Sequence, residues 1–204
     1  PVSEMRWTEA PVCFVFHYLN AWNEGKQVTF DAIDFAVAPN FPDPDGNLPG
    51  HTEAQGRLTR WRLDVSTGRI DRELLVDVSA EFPRIDDRLA MGRHQHGFLA
   101  TASQRQRGDG GLFHEIAHID LASGQQQVWD AGFGSGVSEP VFVARSKQAD
   151  EGAGWLLATV FEPDRHTSSL VVLDAMAVAD GPVATVRLDH RVPFGFHGSW
   201  RPAA

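Results

Sequence analysis

Cysteine is nearly absent from this chain. Cys13 is the one thiol in 204 residues, so no internal disulfide can form, and a reducing, cytoplasmic setting is the expectation that follows. There is no stripe of Lys and Arg either. The formal charge is −9 and the cations are spread along the chain, which excludes a surface built to track phosphates and hence a nucleic-acid partner. No apolar run approaches the ~18–20 residues needed to span a bilayer, and no charged-then-apolar leader opens the sequence. Helix signals are weak throughout. Apolar residues are plentiful at 42%, enough for a sizeable core in one or two domains. The chain starts at Pro1 with neither a cap nor a strand signal and ends in a short polar tail after Trp200. The expectation is a region missing upstream and a finished C-terminus.

Strand signals recur as β-branched and aromatic runs bounded by Gly, Pro, Asp and Asn. They predict strands at 13–17, 27–37, 58–63, 98–102, 115–120, 141–143, 155–161, 169–174 and 184–188. The Pro/Gly-rich stretch 39–50 reads as a surface loop or linker, and 104–111 and 147–154 as exposed loops. An internal echo says more. LTRWRLDVSTG, ending at Gly68, resembles FHEIAHIDLASG, ending at Gly124. Each is a strand, an Asp, a turn closed by Gly, and a further strand. Asp64 and Asp120 are 56 residues apart, and SLVVLDA places Asp174 a further 54 along. Repeats of a few short strands at this interval imply propeller blades. The Asp and Gly have a local cause, since Asp bonds the backbone two residues on and Gly accepts positive φ. Generic hairpins sharing common turn residues would look similar.

The chain has nine histidines. His114-Glu115-Ile116-Ala117-His118 matches H-E-x-x-H, the zinc peptidase pattern, with Glu139 placed as a third ligand. That chemistry needs a helix, which puts i and i+4 on one face. On a strand the two histidines lie about 13 Å apart at ~3.3 Å per residue. The register against 58–68 predicts a strand and an incidental match. His94 and His96 alternate, so on a strand they would share a face. His51, His166 and His190 fall in polar loops. His17, in FVFHYLNAW, and His197, in VPFGFHGSW, are lone histidines among large apolar groups. Either is a hydrogen-bonded core residue or a metal ligand; apolar burial favours the neutral imidazole that ligates metals. Glu81 and Glu139 are either turn glutamates before strands or acceptors for the second N–H of a metal-bound imidazole.

Taken together, FVFHYLNAW, EFPRID, GSGVSEPVFVAR, SSLVVLDA and VPFGFHGSW resemble the carotenoid cleavage oxygenase family, which includes the lignostilbene dioxygenases. They occur in the family's order, from about residue 11 to 201. The resemblance implies an all-β fold, part of a seven-bladed β-propeller, with residues 1–204 forming its C-terminal blades. It implies ferrous iron, Fe(2+), held by four histidines on the propeller axis. His17 would be the third ligand and His197 the fourth, with Glu81 behind His17 and Glu139 behind His197. The first two ligands belong to the family's N-terminal half, and nothing here matches them. Where the family often reads Asn-Ala-aromatic-Glu, this chain has Asn23 after Trp22.

The activity implied is a dioxygenase that cleaves a carbon–carbon double bond of a carotenoid, apocarotenoid or stilbene with O₂, giving two carbonyl products. Its partners would be an apolar conjugated small molecule and O₂, with peripheral membrane contact of the full protein in prospect. Phe14, Phe16, Trp22, Phe194 and Phe196 would line the substrate tunnel or simply pack the core. Two histidines cannot complete a four-histidine site, so the chain alone is expected to be inactive. Competing readings are a non-catalytic propeller-type binding module, the zinc peptidase, and a lactonase-like propeller, for which carboxylate-rich metal ligands are not found.

Overall fold

The computed structural model describes residues 7–50, 52–102 and 113–202; the predicted loop at 104–111 and His51 lie outside them. Within the described residues thirteen strands form three antiparallel sheets, each threaded in chain order. The first holds β1 (Phe14–Glu24), β2 (Gln27–Phe35), β3 (Arg57–Asp64) and β4 (Ile70–Val76). The second holds β5 (Ser79–Arg84), β6 (His96–Ala102), β7 (Glu115–Asp120) and β8 (Gln126–Asp130). In the third, β10 (Val141–Ala144), β11 (Gly154–Glu162), β12 (Thr167–Asp174) and β13 (Pro182–Arg187) run in order, and the short β9 (Gly136–Val137) pairs with β11. These are three successive propeller blades. The described residues do not close into a ring.

The echo marks equivalent places. Asp64, Asp120 and Asp174 each end the third strand of a blade. The Asp64 carboxylate accepts from the backbone N–H of Ser66 at 2.8 Å, Asp120 from Ala122 at 2.9 Å and Asp174 from Met176 at 3.0 Å. Gly68 and Gly124 close the first two turns at φ 75° and 74°, where a Cβ would be strained.

Burial explains the stacking. Along β6 and β7 nearly every residue is buried, because the middle blade is covered on both faces. Phe98, Ala100 and Ile116 pack with Val137, Phe142, Leu156 and Leu173 of the third blade. Their alternates Leu99, Ala117 and Ile119 pack with Ile33, Phe35 and Leu58 of the first. Phe98 stacks on Phe142 with centroids 5.4 Å apart. By contrast β11 alternates between buried and half-buried positions from Gly154 to Phe161, the pattern of a sheet covered mainly on one side. The strand pattern corrects several expectations. The segment at 39–50 is a loop inside the first blade, between β2 and β3, and no linker. His94 precedes β6 while His96 begins it, so they share no strand face.

Candidate metal centre

The first strands of the blades converge on one spot. His17 lies near the start of β1, Glu81 in β5 and Glu139 just ahead of β10, while His197 follows β13. The Nδ1–H of His17 donates to Glu81 Oε2 at 2.5 Å. That oxygen also accepts from Phe82 N–H at 2.6 Å. Phe82 adopts φ 52°, and the β5–β6 register shifts between Glu81 and Arg84. This bulge turns the Phe82 N–H back onto the carboxylate. Burial pushes the Glu81 carboxyl above its ordinary value, against the pull of the Phe82 N–H and of His17. Its Oε1 is buried with no hydrogen-bond partner among the described residues.

The Nδ1–H of His197 donates to Glu139 Oε1 at 3.2 Å. Glu139 Oε2 accepts from Gly198 N–H at 2.9 Å and from Arg84 Nη1 at 3.1 Å. Arg84 also donates to the Gly198 carbonyl at 3.2 Å and to Asp87 at 3.0 Å. A buried carboxylate with a guanidinium and a backbone N–H on one oxygen keeps the other for the imidazole. With both Nδ1 hydrogens committed, the Nε2 atoms of His17 and His197 present their lone pairs to each other at 3.3 Å. Two nitrogens sharing one ion at about 2.1 Å each, with an angle near the tetrahedral value, would stand roughly 3.4 Å apart. The donor set therefore fits a metal ion.

Phe82 sits beside both rings, its centroid 5.4 Å from His17 and 6.3 Å from His197. Phe113 meets Phe82 at 6.1 Å. Phe16 and Phe196 join these two around a cleft of about 320 Å³ that includes His17 and Glu81. Phe194 lines an adjoining cleft of about 260 Å³ with Phe82, Phe113 and Phe196. Trp22 is not brought to this group. It stands edge-on to His94 at 5.3 Å and under the Arg60 guanidinium at 5.2 Å, beside a polar cleft. Phe14 packs against Phe16. Sequence reasoning missed Phe82, Phe113 and Arg84. Phe82 and Arg84 lie in EFPRID, which had drawn attention only to its glutamate.

His94, His96 and His118 lie in contacts of their own, away from this pair. His94 is buried, hydrogen-bonded to Asn20 at 3.1 Å and 3.5 Å from Asp31, and burial lowers its pKa. His118 Nε2 meets His96 Nδ1 at 3.0 Å. The H-E-x-x-H match lies on a strand: His114 immediately precedes β7, His118 is within it, and Glu139 is engaged with His197. The backbone from Glu115 to His118 is extended rather than helical, so the helical zinc peptidase arrangement does not form.

Blades of this topology and a pair of glutamate-backed imidazoles define a β-propeller protein with a histidine centre. Residues 1–202 match the family model described as RPE65, retinal pigment epithelial membrane protein. Isoeugenol monooxygenase of Pseudomonas putida is 37% identical over 98% of this chain and 44% of that protein. Lignostilbene-alpha,beta-dioxygenase isozyme III of Sphingomonas paucimobilis is 33% identical over 99% of this chain and 44% of that protein. Among solved structures, the lignostilbene dioxygenase of Pseudomonas brassicacearum superposes with a TM-score of 0.90 at 32% identity, covering 97% of this chain and 44% of that one. A cobalt-substituted Synechocystis ACO gives 0.88 at 27% identity, over 98% and 42%. The chain belongs to this family, the RPE65 and carotenoid cleavage oxygenase family, whose members bind metal. It spans less than half the length of the curated relatives it matches.

Proposed function

We propose that this chain is the C-terminal portion of a non-haem Fe(II) dioxygenase that cleaves a carbon–carbon double bond of a stilbene, carotenoid or apocarotenoid with O₂ to give two carbonyl products. The reading is carried by one observation: two glutamate-backed imidazoles aim their free Nε2 atoms at each other at 3.3 Å. His17 and His197 would hold the iron. When bound, the iron supplies the redox chemistry with O₂ that zinc cannot.

The chain's own groups do the rest. Glu81 and Glu139 fix the tautomer by accepting hydrogen bonds from the Nδ1–H groups, which leaves the lone pair of each Nε2 free for the metal. Arg84 acts as a positioning residue, holding Glu139 and the Gly198 backbone in one frame. Phe16, Phe82, Phe113 and Phe196 offer apolar surface beside His17, suited to a flat conjugated molecule and to the exclusion of water. The unpaired Cys13 suits a cytoplasmic setting.

Two histidines leave the proposed four-histidine site incomplete. The chain alone is expected to bind Fe(II) weakly and to cleave nothing, whereas the full-length protein binds one iron and cleaves a stilbene or apocarotenoid. Anaerobic Fe(II) titration and product analysis on both proteins test this. In the full-length protein, His17→Ala or His197→Ala should abolish iron loading and cleavage together. Full iron content in either variant would refute the assignment, and a full-length protein without iron would point to a non-catalytic binding module.

A further inference from the structure

The H-E-x-x-H segment fails as a peptidase helix, yet its first two residues meet a third group across the sheet. Glu115 at the start of β7 lies directly opposite Asp130 at the end of β8. Like charges facing each other across a strand pair are destabilising. Among the described residues no Lys or Arg pairs with either carboxylate. Their partners are neutral donors: the Thr101 hydroxyl donates to Glu115 Oε2 at 3.0 Å, and the Gly132 N–H donates to Asp130 Oδ1 at 2.8 Å.

His114 adds a second, independent observation. Its backbone is held in register on both sides, its N–H donating to Thr101 O at 3.2 Å and its carbonyl accepting from Ala131 N–H at 2.9 Å. Its side chain is 3% exposed. Its Nε2 is buried, makes no hydrogen bond among the described residues, and lies 3.5 Å from Glu115 Oε1. A buried imidazole nitrogen without a partner is costly and calls for a reason. One ligand atom from each of His114, Glu115 and Asp130 falls within 4.8 Å of the others.

We infer that His114, Glu115 and Asp130 form a divalent-cation site, separate in its ligands from the His17–His197 pair and suited to Zn²⁺ or a similar borderline dication. One imidazole nitrogen and two carboxylate oxygens make a donor set that Zn²⁺ accepts, with water completing the coordination. The cation neutralises the facing carboxylates and occupies the lone pair of His114. The Thr101 hydroxyl orients Glu115 toward it, as groups behind metal ligands commonly do. Bound there, the ion ties the start of β7 to the end of β8. It also sits next along the chain to Phe113, which lines the cleft beside His17.

The test uses the chain carrying His17→Ala and His197→Ala, so that the proposed iron ligands take no part. Zn²⁺ is titrated by calorimetry, and Co²⁺ by its visible absorption. One equivalent of Zn²⁺ is expected, together with a rise in melting temperature. Asp130→Asn, at an exposed position, should leave the circular dichroism and melting of the metal-free chain unchanged and weaken Zn²⁺ binding about tenfold or more. Glu115→Gln should act the same way, and His114→Asn should remove the Co²⁺ spectrum. Absence of saturable Zn²⁺ binding overturns the proposal. So does binding of equal strength in the parent, Asp130→Asn and Glu115→Gln, which would place the ion on other histidines.

Discussion

Acid should weaken this fold through His118, over a window set by its burial. His118 is 4% exposed, its Nδ1 is buried without a hydrogen-bond partner among the described residues, and its Nε2 meets His96 at 3.0 Å. Burial lowers its pKa from 6.5 to about 4, the neighbouring His96 adds to this, and Asp120 opposes it. The unfolded chain therefore binds a proton that the folded chain refuses between those two values. Stability from this group is complete above about pH 6.5, falls as pH drops toward 4, and changes no further below that. At 1.36 kcal/mol per unit, the loss has a ceiling of about 3 kcal/mol. Urea unfolding followed by circular dichroism at steps from pH 7 to 4, for the parent and His118→Gln, isolates the effect. The difference in unfolding free energy between the two should shift by roughly 2–3 kcal/mol across that range, in favour of the variant at low pH. A pH-independent difference would refute the reasoning.

Three further outcomes follow from the packing and the site. Phe98→Ala removes a fully buried ring stacked on Phe142 and should cost about 3–5 kcal/mol, read as a lower urea midpoint. Gly56→Ala would bring a Cβ to 2.5 Å from Ile33 Cγ2 and 2.7 Å from the Ala80 carbonyl; overpacking should cost roughly 1–3 kcal/mol in the same assay. In the full-length protein, Glu139→Gln breaks the ion pair with Arg84 and loosens His197, so Fe(II) affinity should fall about 10- to 100-fold by competition with a chelator, with the far-ultraviolet spectrum retained.

The blades were legible because their Asp-to-Gly turns are local chemistry: Asp64 and Asp120 hold their turns with contacts two and three residues away. Strands β4, β5 and β8, like the two-residue β9, were missed, the first three for different reasons. IDRELLV and QQVWD carry too much polar surface, being solvent-facing outer strands. In β5, Pro83 argues against a central strand, but β5 is an edge strand, where a missing N–H costs nothing in the ladder. Within the candidate site, the two histidines and two glutamates stood out by their apolar surroundings and by family resemblance, and the structure brings all four together. Trp22 misled for a geometric reason. The register of β1 shifts between Val15 and Tyr18 and again between Tyr18 and Asn20, so the face of residue 22 cannot be counted from residue 17. Arg84 was invisible because its role depends on Glu139, 55 residues later.

The two nitrogens that meet at 3.3 Å are 180 residues apart in the chain. Nothing local can preassemble them, and closing so long a loop before the blades are stacked would be entropically unrewarded. The pair is therefore a product of blade stacking rather than of any local sequence signal. Any ion held by these two nitrogens would thus be selected by the geometry of stacked blades, not by a short sequence motif.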